Sequence, residues 1–576
     1  MKFCVWAPLA TSVDLVLEER RIPMQSDTTG YWRAHAPAGE VLGGYKYSLD
    51  GAAPLPDPRS AWQPDGVHGN SYPLELAPRR PPACAFRAKP LRDAVIYELH
   101  VGTFTAAGTY AAAAARLGHL SALGITHVEL MPLATFPGSR GWGYDGVYLY
   151  APLPAYGSPQ ELVHFIDACH EHGLAVLLDV VYNHLGPDGN HLGAYGPYFT
   201  DRVKTAWGEA INYDGAYSDE VRRFVIDNAL MWLRDYGFDG LRLDAVHAIF
   251  CFEATHILEE LAAAVHRFGT AADRDLVLIA ESDLNDPRLV QAAGRGGYGL
   301  DAHWVDDFHH AVHRFFTGEA AGYYADFHGL PDLAAALRAG YVYQGQYSPF
   351  RRRRHGRAPH GVGADQMVVC AQNHDQIGNR AQGERLSMLI GTAQLKAVAA
   401  LCLLSPYVPL LFQGEEWGAG TPFLYFTDHQ DPALSRLVAE GRAREFSSFQ
   451  WSGEVPNPQD ARTFERSKLD WSELTKPPHA EILDWHRRLM ALRSHRSADG
   501  IDARPDVEFD AAAGWLRCRH ADVLTLCNFA AQPQHVPLPA GTWEPALSSD
   551  PDRDEPPQRI APHGTRVYTR RAAAAR

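Results

Sequence analysis

Cysteine is scarce and unpatterned in this chain: eight in 576 residues (Cys4, Cys84, Cys169, Cys251, Cys370, Cys402, Cys518, Cys527), with no CxxC pair and no short spacing. That excludes a disulfide framework and a zinc ribbon and predicts reduced thiols. No apolar run is long enough for a membrane span. The nearest, Leu395 to Phe412, is broken by Pro406 and Pro409 and reads as a buried helix feeding a buried strand. The opening MKFCVWAPLATSVDLVLEE alternates and turns acidic, without the unbroken apolar core of a secretory signal, so a cytoplasmic location is expected. Positive charge is also lacking overall. Lys and Arg number 53 against 68 Asp and Glu, a formal charge of −15, which argues against a nucleic-acid partner. The one basic cluster, RRRRHGR from Arg351 to Arg357, reads as a solvated or sugar-contacting loop.

What is present is an ordinary globular composition, 46% hydrophobic and 21% charged, on a chain long enough for about two to four domains. Residues 1–90 read as a β-sandwich, because FCVWAP, VDLVLEE, YWRAHAP and YKYSLDG alternate apolar and polar positions between turn residues. The Pro-rich stretch 77–90 reads as a linker. Across 91–490, apolar runs alternate with helical segments. Eight candidate strands start at Ala94, His127, Ala175, Gly240, Leu276, Ala302, Met367 and Val408. Several are almost wholly apolar in their first half, as strands buried on both faces are, so the fold class is α/β, a (β/α)8 TIM barrel with N-terminal and C-terminal β-sandwich domains. Helices are predicted from Ser158 and from Ser218, each opened by Ser and closed by Gly. A Gly/Tyr/Asn-rich excursion at about 185–215 exceeds ordinary loop length and predicts a functional loop subdomain over the barrel mouth. From 491 to 576 short strands return (GWLRCRH, VLTLCNF, HVPLP, TRVYTRR), predicting the second sandwich.

Chemistry in such barrels sits at the C-terminal ends of the strands. Four segments there carry it: DVVYNH (Asp179 to His184), GLRLDAVH (Gly240 to His247), AES (Ala280 to Ser282) and QNHD (Gln372 to Asp375). Glycosidic cleavage requires one carboxylate to attack the sugar and one carboxylic acid to protonate the leaving oxygen. Asp244 lies two residues after Arg242, on the same strand face, so the guanidinium is placed to keep it ionised as a nucleophile. Glu281 needs an environment that keeps it protonated, as general acid and then general base. Asp375 and His374 are expected to hold sugar hydroxyls, with His184 and His247 adding contacts. His309 and His313, one helical turn apart, have zinc-ligand spacing but no evident third ligand and read as structural histidines. No metal and no cofactor is expected.

These motifs resemble those of the α-amylase superfamily of retaining glycoside hydrolases. The resemblance implies that Asp244 is the nucleophile, Glu281 the acid/base and Asp375 the transition-state stabiliser, with Asp179, His184, Arg242 and His374 binding sugar. It also implies that Tyr144, in GYDG, stacks under the ring at the cleavage subsite, and that the N-terminal domain is carbohydrate-module-like. Some members bind calcium near the position of Asn183; no acidic ligand cluster accompanies it here. The flanking segments from Tyr182, Ala206, Ala280, Trp304 and Ser348 are similar to the branch that cleaves the α-1,4 bond next to a terminal trehalose unit. That likeness points to Trp207, Phe350 and Arg351 for trehalose recognition. It implies an α-glucan substrate and a pathway link, without a stable complex, to the enzyme that makes trehalose-capped chains. The alternatives are a branching or other α-glucan-active transferase or debranching enzyme on the same architecture, and a non-catalytic barrel that has lost its chemistry. AESD at strand five and the full set of carboxylates argue for hydrolysis.

Overall fold

The computed structural model describes all residues except 19, 77–85, 206, 449–454, 496–503, 551–555 and 571–576, and the backbone alone at 445–448. The eight apolar runs form one closed parallel barrel: β1 (Ile96–Leu99), β2 (His127–Leu130), β3 (Ala175–Val180), β4 (Gly240–Leu243), β5 (Val277–Ala280), β6 (Ala302–Trp304), β7 (Met367–Cys370) and β8 (Val408–Phe412). Every residue in them except Val277 is buried, because helices cover the outside and side chains fill the inside. Register brings the exits level: Asp179 pairs with Arg242 across β3 and β4, and Leu243 with Ala280 across β4 and β5. Gly240 allows the close approach at the start of β4, where an added Cβ would lie 2.4 Å from the Val277 carbonyl oxygen.

The helix Pro159–Glu171 is opened by a reciprocal box between Ser158 and Glu161, as its sequence predicts. The next helix differs. Ser218 is its first helical residue, and the capping position belongs to Tyr217 in the left-handed conformation (φ 67°). It ends through a wider turn, Trp232–Tyr236, at Gly237 (φ 85°). The apolar stretch before β8 is a helix, Thr392–Leu403, and among the described residues no helix is long and apolar enough to cross a membrane.

The N-terminal strands form two three-stranded antiparallel sheets, Lys2–Trp6 with Tyr31–His35 and Gln25–Ser26, and Arg20–Pro23 with Val13–Leu17 and Lys46–Leu49. They brace the excursion after β3: Trp6 meets Tyr198 edge to face, and the Tyr195 hydroxyl donates to the Pro56 carbonyl at 2.8 Å. That excursion holds a short helix, Leu192–Tyr195, and an antiparallel hairpin, Phe199–Thr205 with Gly208–Ile211, whose tip carries Trp207. Most of the stretch read as a linker, 77–85, lies outside the described residues. The helix His479–Ser494 runs across residue 490, and beyond it five antiparallel strands and a two-stranded pair form the C-terminal β domain. In HVPLP only the first residue joins a strand, Gln534–His535, since prolines 537 and 539 offer no N–H for a ladder.

Candidate active site

Arg242, fully buried near the exit of β4, organises the site. Its Nη1 donates to Asp179 Oδ2 at 2.7 Å and to Asp244 Oδ1 at 2.9 Å, and its Nη2 lies 3.2 Å from Glu281 Oε2. The guanidinium plane sits over the Trp304 ring, 4.3 Å from its centroid. Burial works against its charge, yet Asp179, Glu281 and Asp244 outweigh it and hold the cation well above the ordinary arginine range. The other Asp244 oxygen is also held, because the Asn183 amide donates to Oδ2 at 2.6 Å and to the backbone carbonyl of Asp244 at 2.9 Å. This is the work of the Asn in DVVYNH: its amide orients a carboxylate.

Glu281 accepts the Ala245 backbone N–H at 2.6 Å. Burial pushes its pKa above the ordinary carboxylate range, with Arg242 opposing and the Asp244 charge adding to the rise. Asp375 stands in the first turn of the helix His374–Gly378, its Oδ1 3.6 Å from His374 Nε2 and 3.3 Å from the Asn379 amide. Burial raises it, against His374 and with a further push from Glu281. The three carboxylates named from sequence therefore share one electrostatic neighbourhood.

A second layer carries the sugar-binding candidates. Tyr144 donates its hydroxyl to Asp179 Oδ2 at 2.6 Å, lies 2.7 Å from His374 Nε2, and stacks its ring on His374. Burial lifts Asp179 to about 7 despite Arg242. For His374, burial opposes the charge but Glu98 and Asp375 prevail, raising it to about 9. His184 lies between the Asn183 side chain and the Tyr144 carbonyl, is held down to about 4 by burial, and is covered by the Trp207 ring at 4.4 Å with planes 7° apart.

Three candidates stand apart from this network. His247 is exposed, and its charge acts on Glu281 and Asp283. Phe350, with 45% of its surface open, sits at the turn of the hairpin Gln344–Ser348 and Arg353–Gly356, its backbone N–H on Asp326. Arg351 donates to Asp283 Oδ2 at 2.8 Å, which ties that hairpin to the exit of β5. Sequence reasoning missed Glu98 and Glu129, buried acids of β1 and β2 that stand opposite each other. The signal was an acid inside an otherwise buried strand, in IYEL and HVEL.

The histidine pair has protein partners. His309 contacts the Ala371 carbonyl and the Tyr324 hydroxyl, and His313 contacts Glu319. Among the described residues no group of three or more His, Cys, Asp or Glu side chains is arranged to hold a metal ion.

The family model for the alpha amylase catalytic domain matches residues 93–193, and one described as a domain of unknown function (DUF3459) matches 503–567. A malto-oligosyltrehalose trehalohydrolase of Arthrobacter ramosus is 50% identical over 519 residues, covering 89% of this chain and 90% of its own. A crystal structure of an alpha-amylase-type protein from Salmonella typhimurium superposes with a TM-score of 0.90 at 37% identity, over 99% of this chain and 97% of that one. A 1,4-alpha-glucan branching enzyme of Corynebacterium jeikeium shares 26% over 603 residues, 95% of this chain and 76% of its own. Identity of one residue in two along nearly the full length of both chains, against one in four for the branching enzyme, places this chain in the malto-oligosyltrehalose trehalohydrolase family of α-amylase-type glycoside hydrolases.

Proposed function

We propose that the enzyme hydrolyses the α-1,4-glucosidic bond next to the terminal trehalose unit of a maltooligosyltrehalose, releasing trehalose and a shorter maltooligosaccharide with retention of configuration. The observation that carries this is the single guanidinium of Arg242 shared by Asp244 and Glu281. It puts an oriented carboxylate beside a carboxyl group that burial keeps protonated to higher pH, the pair a double displacement needs. Asp244 attacks the anomeric carbon while Glu281 protonates the glycosidic oxygen, and trehalose leaves. Glu281, now ionised, takes a proton from water, which attacks the same carbon and restores Asp244. Asp375, His374, Tyr144 and Asp179 hold the sugar ring during both steps. His184 and Trp207 form one stacked wall of the cleft, and the substrate comes from an enzyme that caps glucan chains with trehalose.

Separate incubations with maltotriosyltrehalose and maltopentaose, with products separated by chromatography, test the assignment. Rapid release of free trehalose with slow action on maltopentaose is expected; new α-1,6 linkages from amylose, without trehalose release, would point instead to a transferase. In the same assay Phe350→Ala and Arg351→Ala are expected to lower the preference for the trehalose-capped chain by about tenfold, the value of roughly 1.4 kcal/mol of selective contact. An unchanged preference removes both from recognition of the trehalose end.

The raised Glu281 carboxyl also sets a pH dependence. A general acid must be protonated, so kcat/KM falls as pH rises through the Glu281 pKa, which stands above the usual carboxylate range. Glu281→Gln is expected to lose at least about 10²-fold in rate and to lack that alkaline limb. A limb that persists unchanged in the variant assigns the proton to another group.

A further inference from the structure

We propose that Glu98 is a positioning residue for cleavage: from β1 it holds His374 as an imidazolium whose Nε2–H points at Tyr144. This deepens the hydrolytic reading above and rests on it. The Tyr144 hydroxyl has one proton and two close neighbours, Asp179 Oδ2 at 2.6 Å and His374 Nε2 at 2.7 Å. Its proton goes to the carboxylate, so Nε2 has to supply the other hydrogen. At the far side of the ring, Nδ1 faces Glu98 Oε1, while Glu98 Oε2 accepts the His374 backbone N–H at 3.1 Å. A carboxylate accepting on both oxygens requires a donor at Nδ1 as well, and a histidine that donates from both nitrogens is charged.

The groups facing this ring leave Glu98 as its main counter-charge. Arg242, from β4, opposes the imidazolium, and Asp375, on the same short helix, supports it from 3.6 Å. Glu129, opposite Glu98 on β2, is 1% exposed, and neither of its oxygens has a hydrogen-bond partner. Burial, with the Glu98 charge adding, pushes Glu129 well above the carboxylate range and so works against a second negative charge beside Glu98. His100, just past β1, is kept neutral by burial, at about 4. A chain of hydrogen bonds then runs from Glu98 through His374, Tyr144, Asp179 and Arg242 to Asp244, and Glu281 stands within ion-pair distance of the same guanidinium. Its outer end sets the protonation of the ring that Tyr144 lies against.

Glu98→Gln keeps the shape but not the charge, so burial loses its main opponent and His374 should titrate well below about 9. The ratio of variant to wild-type kcat/KM on maltotriosyltrehalose is expected to fall by up to about 100-fold between pH 5.5 and pH 8.5, as a histidine without its counter-charge loses its proton while the wild-type ring keeps it. A purely structural role would give a pH-independent loss, and a flat ratio overturns the proposal. Should the variant not fold, the wild type decides: with 15N-labelled histidine, and His374→Asn to assign the signal, both ring nitrogens are expected to be protonated at pH 7.5. A neutral ring there overturns the proposal. If the wild type releases no trehalose, the hydrolytic reading fails, and the nitrogen spectrum still reports on Glu98.

Discussion

Asp244→Ala is expected to fold normally and to release trehalose at least about 10⁴-fold more slowly than wild type, the scale of loss when a catalytic nucleophile is deleted. The structure gives the reason for both halves. Arg242 loses one partner but keeps Asp179 and Glu281, so no buried cation is stranded and the melting temperature should move little. The Asn183 amide loses its carboxylate acceptor and can turn to water in the emptied space. What disappears is the carboxylate held between Arg242 and Asn183, and with it the covalent intermediate. A small anion such as azide fits the vacated space and attacks from that same face, giving a glycosyl azide of inverted configuration. Anomeric NMR of the product decides. Retention of a tenth of the activity, or a retained azide product, removes Asp244 from the role.

The barrel was legible in the sequence because parallel strands buried on both faces leave long apolar runs: six of the eight start at the residue expected, and the other two, at Ile96 and Val277, within two residues of it. Asp244, Glu281 and Asp375 were legible because each ends such a run. The contacts that tune them were not. Glu98 and His374 are 276 residues apart, and nothing local in IYEL announces that its acid faces the strand-seven histidine. The stacking of Trp207 on His184 depends on a hairpin inside what reads as a glycine-rich loop. Arg351 reads as a free fork for sugar, whereas one arm is already engaged by Asp283. Local rules failed at Ser218, where the left-handed Tyr217 takes the capping position that composition assigns to Ser. Periodicity reports burial and strand ends report depth. Long-range polar pairing is set by register, which a single sequence does not display.

Arg242→Met is expected to cost about 3–5 kcal/mol of stability and at least about 10³-fold in turnover, because removing one partner of a buried ion cluster leaves the others uncompensated. Asp179, Asp244 and Glu281 would then face one another without a cation. Asp179, which burial already lifts to about 7 while Arg242 opposes, is raised further when that cation is lost and takes up a proton. Protonation relieves the repulsion but turns the charge-assisted bond from Tyr144 into a weaker neutral one, so the sugar floor loosens along with the nucleophile. Arg242→Lys separates charge from geometry. An ammonium restores the positive charge and much of the stability, but one nitrogen cannot reproduce the planar fork whose Nη1 serves Asp179 and Asp244 while Nη2 faces Glu281. Its melting temperature should therefore recover most of the way toward wild type while kcat stays at least about tenfold below it, the cost of losing one oriented contact worth roughly 1.4 kcal/mol. A lysine variant with wild-type kcat would mean that positive charge alone aligns the two carboxylates and that the fork is not what holds them.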